Sequence, residues 1–412
     1  MRATEQMRIN GTRLWDSLMT LAKIGATDKG GVRRLALTDL DRQGRDLVVG
    51  WCREAGLDIS IDRIGNIFGR RAGTDPSRAP VMSGSHIDTQ PSGGKFDGNF
   101  GVLAALEAVR TLNDHGLRTA APVEVAIWTN EEGTRFQPVM MGSGVFAGVF
   151  DLPSTLARTD LDGKSVGEEL QRIGYAGTAP CGGRPIGAYF EAHIEQGPIL
   201  EDTGHTIGVV TGVMGLRWFR ITVNGQDSHA GPTPMHLRRD ALLAASRLVD
   251  AVNRIALDHA PNGRGTVGFL QVKPNSINVV PGEVTFSVDI RHADAGQLDS
   301  MEAALRSRCE SVAGETRTAI RIDDVSRFAP TAFDPAMIGA VRSAAGRLGY
   351  RHRDIVSGAG HDAVYVATLA PTAMIFVPCE GGISHNEIEN AKAEDLEAGC
   401  NVLLQAIVAA AG

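Results

Sequence analysis

At 412 residues the chain exceeds what one compact core holds, so two domains are expected; 43% hydrophobic and 22% charged residues exclude a disordered chain. A formal net charge of −7 argues against nucleic acid or an anionic membrane as partner. The five cysteines, Cys52, Cys181, Cys309, Cys379 and Cys400, form no CxxC pair, the stretch MRATEQMRINGTRLWDSL has no apolar signal core, and no apolar run is long enough to span a bilayer, so a cytoplasmic protein without disulfide framework or thiolate zinc site is expected.

The N-terminal region, Asn10 to Leu57, has helical periodicity, with Leu14, Leu18 and Leu21 at helix spacing. Short β-type segments follow at Leu57–Arg63, Ile67–Arg70 and Pro80–His86, then a helix at Gly101–Asn113 and an apolar strand at Val123–Thr129. From about Gly212 the order changes to strand (Arg217–Val223), helix (Arg238–Asp258), strand (Gly265–Val272), strand (Glu283–Arg291), helix (Ala295–Ala313) and strand (Thr318–Asp324), the βαββαβ order of a ferredoxin-like sandwich. The first pattern resumes with a helix at Ala336–Leu348, a strand at Ala373–Val377 and a helix at Ala393–Ala410. The expected fold is therefore α/β: a discontinuous domain around a mixed central sheet (1–212 and 330–412) carrying an inserted α+β domain (213–329).

The chemistry gathers in a few segments. GSHIDTQPSGGKFDGNFG puts His86 and Asp88 just after a buried strand and Asp97 at the start of a helix. WTNEEGTRF places Glu131 and Glu132 after an apolar strand, where neighbouring side chains diverge, so one carboxylate can bind metal while the other moves protons. His193 (EAHIEQGP), His229 (DSHAGP), His361 (SGAGHDA) and His385 (GGISHNE) are read as loop residues bordered by Gly, Ser or Pro. Imidazoles and carboxylates without thiolates suit Zn²⁺, Mn²⁺ or a similar ion. Neither GGKFDG nor DGKS completes GxxxxGK[ST], which removes nucleotide binding. Each segment alone has a bland reading as a surface hydrogen bond, a solvated face or a turn; their coincidence in one chain is what points to a metal hydrolase.

In this order GSHIDT, GGKFDG, TNEEG, EAHIEQGP, DSHAGPTPM, NSINVVPG, DIRH, SGAGHDA and GISHNE resemble the M20 metallopeptidase-like superfamily, in its hydantoinase/carbamoylase branch. That resemblance implies two divalent metal ions per subunit (Zn²⁺, or Mn²⁺, Co²⁺ or Ni²⁺): one on His86, Asp97 and His193, the other on Asp97, Glu132 and His385, with Asp97 bridging. It implies Glu131 as general base and acid, Asp88 as the aspartate that orients His86 through the ring nitrogen facing away from the metal, and His229 as oxyanion donor in a partner subunit. It further implies that Asn278 and Arg291 hold the substrate's carboxylate, and that Gln196, Gly360 and His361 contact substrate. A homodimer formed through the inserted domain is expected. Closure of that domain over substrate is also expected, with hinges near Gly212–Gly215 and Arg327–Pro330.

The implied reaction is removal of the carbamoyl group from an N-carbamoyl-L-amino acid or N-carbamoyl-β-alanine. Allantoate hydrolysis is the alternative; an M20 peptidase or aminoacylase, and a non-catalytic binding protein, rank below. The run NEIEN after His385 is more acidic than the proline-containing run expected of many relatives, so it either tunes the second metal or sits at the surface.

Overall fold

The computed structural model describes residues 7–412. Residues 1–6, the start of the stretch read for a signal core, lie outside them. The chain folds into two compact units: the first runs to Thr211 and resumes at Phe333–Gly412, and the second is Gly212–Ala332. Among the described residues no helix is long and apolar enough to cross a membrane.

The first unit is built on a mixed sheet. Its order is Asp58–Ile61, Ile67–Arg71, Val123–Trp128, Val81–His86, Ala188–Ile194, Thr372–Val377 and Ile207–Val213. The four strands Val123–Trp128, Val81–His86, Ala188–Ile194 and Thr372–Val377 run parallel. The flanking Ile67–Arg71 and Ile207–Val213 run antiparallel to them. All four parallel strands are buried from end to end, as expected where helices cover both faces. That burial removes the alternation that betrays a strand in sequence. It explains why the sequence does not announce Ala188–Ile194 and why His193 reads as a loop residue there: His193 is the penultimate residue of that strand. The helices Asn99–Asp114 and Ala393–Ala411 pack on these strands and on each other. Both are buried over most of their length, which is the signature of core helices.

The second unit is an antiparallel sheet backed by two helices. Gly215–Asn224 pairs with Glu283–His292 on one side and Ala319–Phe328 on the other; Leu270–Lys273 extends the sheet beyond Glu283–His292. The strand foreseen as Gly265–Val272 is broken into Arg264–Thr266 and Leu270–Lys273, both on Glu283–His292. Strict in–out alternation puts Val284, Phe286, Val288 and Ile290 into a core with Leu248 and Val252 of the helix Ala241–Asp258 and Met301 and Leu305 of Ala295–Thr316.

Candidate metal centre

Parallel strands end together, and the loops beyond their carboxyl ends are where α/β sheets bind ligands. Here His86 closes Val81–His86, His193 nearly closes Ala188–Ile194, Glu131 and Glu132 follow Val123–Trp128, and the loop after Thr372–Val377 leads to His385. Asp97 precedes the helix Asn99–Asp114, whose cap Gly98 has φ +65. A Cβ at Gly98 would lie 2.4 Å from ring atoms of His86, so only glycine fits there.

Asp97 is the hub. Its Oδ1 is 3.2 Å from His193 Nε2 and 3.6 Å from His86 Nε2; its Oδ2 is 3.4 Å from His385 Nε2. Two ligand groups share it: His86, Asp97 and His193, and Asp97, Glu132 and His385, each with donor atoms within 4.8 Å of one another. Glu191, His193 and His361 form a third such group behind them.

The tautomers suit coordination. His86 Nδ1 donates to the main-chain oxygen of Asp88 at 2.9 Å, and His193 Nδ1 to that of Ile194 at 2.9 Å. A carbonyl can only accept, so each ring, when neutral, carries its proton on Nδ1 and its lone pair on Nε2, facing Asp97.

Asp88 departs from expectation. Its carboxylate stands 3.8 Å from His86 Nδ1 and instead accepts the N–H groups of Glu131 and Glu132, at 3.2 Å each. The strand ends at His86, and beyond it the Asp88 carbonyl meets the ring while its carboxylate serves the next loop. Asn130 helps aim that loop: it adopts φ +53 and donates to Phe136 O at 2.8 Å. The two glutamates then diverge. Glu131 Oε2 lies 3.5 Å from His86 Nε2, and Glu132 Oε2 lies 3.5 Å from His385 Nε2.

Four acids, Asp88, Asp97, Glu131 and Glu132, are all buried here. Burial pushes Glu132 up to about 7, with Asp97 adding to it, and pushes Glu131 well above the usual carboxylate range. Burial opposes protonation of His86, yet the facing Glu131, Asp97 and Asp88 outweigh it and raise that ring well above the ordinary range. Crowded buried carboxylates of one sign either take up protons or are compensated by a cation. The nitrogen and oxygen donors therefore fit a divalent ion of the zinc or manganese type.

The other candidates divide by location. Gln196 donates to Asp97 Oδ2 at 2.8 Å, with φ +57 turning it back to the site. Its Oε1 is buried without a hydrogen-bond partner among the described residues. His361 is buried, stacks edge-on against His193 at 4.6 Å between centroids, and pairs with Ser357 Oγ at 3.0 Å. Gly360 precedes it at an exposed loop position. His229, Asn278 and Arg291 belong to the second unit. There Val279 pairs with His229, Asn278 O accepts the Ala230 N–H at 2.9 Å, and Gly231 N–H donates to His229 Nδ1 at 3.1 Å, leaving the ring proton on Nε2. Arg291 is bound to Asp289, at 2.7 Å from Nη2 to Oδ2.

Sequence reasoning missed Gln90, Ser384 and Arg34. Gln90 donates to Glu132 Oε2 at 2.6 Å and accepts from Thr134 at 2.8 Å. Ser384 Oγ lies 3.0 Å from Asp97 Oδ2. The buried Arg34 guanidinium bonds Ile87 O at 2.8 Å and Asn99 Oδ1 at 2.6 Å, tying together the loops of His86 and Asp97. Gln90 and Ser384 fall inside the segments GSHIDTQ and GISHNE, so a polar residue inside an already suspect motif was the available signal.

The family model described as Peptidase family M20/M25/M40 matches residues 82–409. An N-carbamoyl-L-amino-acid amidohydrolase of Rhizobium meliloti is 50% identical over 404 residues, 98% of this chain and 97% of its own. An allantoate amidohydrolase of Bacillus subtilis is 35% identical over 391 residues, 94% of this chain and 95% of its own. A crystal structure of an amidase of the hydantoinase/carbamoylase family from Burkholderia multivorans superposes with a TM-score of 0.97 at 61% identity, covering 98% of each chain. The chain belongs to the M20/M25/M40 peptidase family, among the hydantoinase/carbamoylase amidases.

Proposed function

We propose that the chain is a metal-dependent amidohydrolase. It hydrolyses the carbamoyl C–N bond of an N-carbamoyl-L-amino acid or N-carbamoyl-β-alanine, taking up water and releasing amino acid, carbon dioxide and ammonia. The observation that carries this reading is Asp97 facing three imidazoles, two on one oxygen and one on the other, inside a buried cluster of acids. The carbamoyl substrate is supported by the 50% identical relative.

His86, Asp97 and His193 would hold one divalent cation, and Asp97, Glu132 and His385 a second. Bound there, the cations supply a water acidified toward neutral pH and a polarised substrate carbonyl. Glu131 takes the water's proton and passes it to the leaving nitrogen. Asp88 positions rather than reacts, through the Glu131 and Glu132 N–H groups. Gln196 Oε1 is an acceptor suited to a ureido N–H, and Gly360 and His361 line the same end. His229 is assigned the oxyanion. Asn278 and Arg291 are assigned the substrate carboxylate, for which a guanidinium's paired N–H groups are suited. The second unit's reading as a ferredoxin-like domain rests on its antiparallel order. Its roles in closure and in a homodimer, and the cytoplasmic setting, rest on the likeness and on the five unpaired cysteines.

The 35% identical relative favours allantoate as the second reading. One experiment separates them. Protein stripped of metal and resupplied with Zn²⁺, Mn²⁺, Co²⁺ or Ni²⁺ is assayed for ammonia release from N-carbamoyl-L-amino acids, N-carbamoyl-β-alanine and allantoate. Turnover of a carbamoyl substrate in preference to allantoate is expected. Ammonia from none of them with any metal sinks the proposal.

A further inference from the structure

The acidic run after His385 holds two glutamates with opposite fates. Glu387 is partly exposed and pairs with Lys29 at 3.6 Å, as a surface acid does. Glu389 is 1% exposed. Its Oε1 accepts the N–H groups of Phe96 at 3.0 Å and Asp97 at 3.1 Å. Its Oε2 lies 2.9 Å from Ser384 Oγ, which also stands 3.0 Å from Asp97 Oδ2. One carboxyl group thus grips two backbone positions of the Asp97 loop and a side chain next to His385. These segments are nearly three hundred residues apart in sequence, and no other bond described above links the Asp97 backbone to the His385 loop.

All three hydrogen-bond partners of this acid are neutral donors, so its burial carries a desolvation cost that no direct ion pair among the described residues offsets. The chain also makes room for it. A Cβ on Gly94 would fall 2.0 Å from Glu389 Oε1, so the second glycine of GGKFDG is required for the carboxyl group to reach the loop. A purely solvated role for NEIEN is therefore ruled out at Glu389.

We propose that Glu389 is a positioning residue of the metal centre: it locks the Asp97 loop against the His385 loop and so sets the affinity of the site for divalent cations. This rests on the reading of Asp97 and His385 as metal ligands. Oriented Asp97 oxygens need not be reorganised when a cation arrives; a loose Asp97 loop must be ordered at that moment, and the ordering weakens binding. Glu389 touches neither substrate nor cation.

The test uses full-length protein, stripped by chelator and titrated with Mn²⁺ or Zn²⁺ alone, reading calorimetric affinity and the rise in Tm that the ion produces. Glu389→Ala is expected to weaken cation binding by roughly 10–100-fold and to shrink the ion-induced rise in Tm. Glu389→Gln keeps an oxygen for both N–H groups and an amide for Ser384, so it should stay within about threefold of the unaltered protein. Gly94→Ala, which displaces the carboxyl group without removing it, should reproduce the Ala effect. If Glu389→Ala does not fold, Gly94→Ala and Ser384→Ala carry the measurement.

The inference is overturned if Glu389→Ala or Gly94→Ala lowers the Tm of stripped protein yet leaves affinity and ion-induced rise intact, since that is a purely structural role. It is also overturned if Glu389→Gln loses as much affinity as Glu389→Ala, since charge rather than placement would then matter. Failure of the unaltered protein to bind either ion is a different result, and sinks the metal-centre reading itself.

Discussion

A knot of charged side chains around Glu302 in the second unit and one around Asp97 in the first behave oppositely. In the second unit Glu302 receives hydrogen bonds from Arg217, Arg306 and Arg327, chiefly from Arg327, and its carboxyl is pulled down to about 2. In the first unit burial and Asp97 push Glu132 up to about 7. The Glu302 knot neutralises itself and needs no further component. The knot around Asp97 has surplus acid that the polypeptide does not compensate, which is how a binding site differs from a structural ion-pair network.

The contrast is broken most severely at Glu131. Glu131→Gln should lower ammonia release by about 10²–10⁴-fold while metal content, read by elemental analysis, stays unchanged. Near-normal turnover would remove Glu131 from proton transfer. Next is Asp88→Ala, which frees the Glu131 and Glu132 N–H groups and should cost roughly 10–100-fold in activity or metal affinity. Because the Asp88 main-chain oxygen still holds His86, metal binding should weaken without vanishing.

Stripped of ions, the two knots should respond to pH with opposite sign. Glu132, raised from 4.5 to about 7, and His385, raised from 6.5 to about 9, contribute stability that is present at low pH and lost as pH climbs through this range. The Tm of chelated protein should therefore fall from pH 5 toward 9, and added Mn²⁺ should restore it at the alkaline end. A flat profile would mean that the surplus acid is compensated from within the chain. Glu302, lowered from 4.5 to about 2, contributes stability that is present above 4.5 and lost as pH drops toward 2. Glu302→Gln should cost about 1 kcal/mol at neutral pH, the scale of a partly exposed pair, and flatten the acid limb of a Tm–pH plot.

The sequence carried the second unit's alternation plainly, since strands with one wet face announce themselves: Glu283–His292 reads in–out along its whole length. The central strands of the first unit are apolar on both faces. Ala188–Ile194 is therefore not legible as a strand in the sequence, and His193 stands out there only as a loop residue. The ligand candidates were legible because imidazoles and acids stand out among glycines. Their supports were not. Arg34, Asn130 and Glu389 act largely through backbone atoms that any residue supplies, so pairing of residue types does not reveal them. Asp88 shows the same limit, for its spacing from His86 was visible but not which of its oxygens would meet the ring.

The oxygens that meet both rings, at Asp88 and Ile194, belong to the main chain. No single codon change can delete a peptide carbonyl. The proton placement on these two imidazoles thus rests on no replaceable side chain, whereas the contacts to Asp97 and Glu132 made by Gln90, Gln196, Ser384 and Glu389 each depend on one.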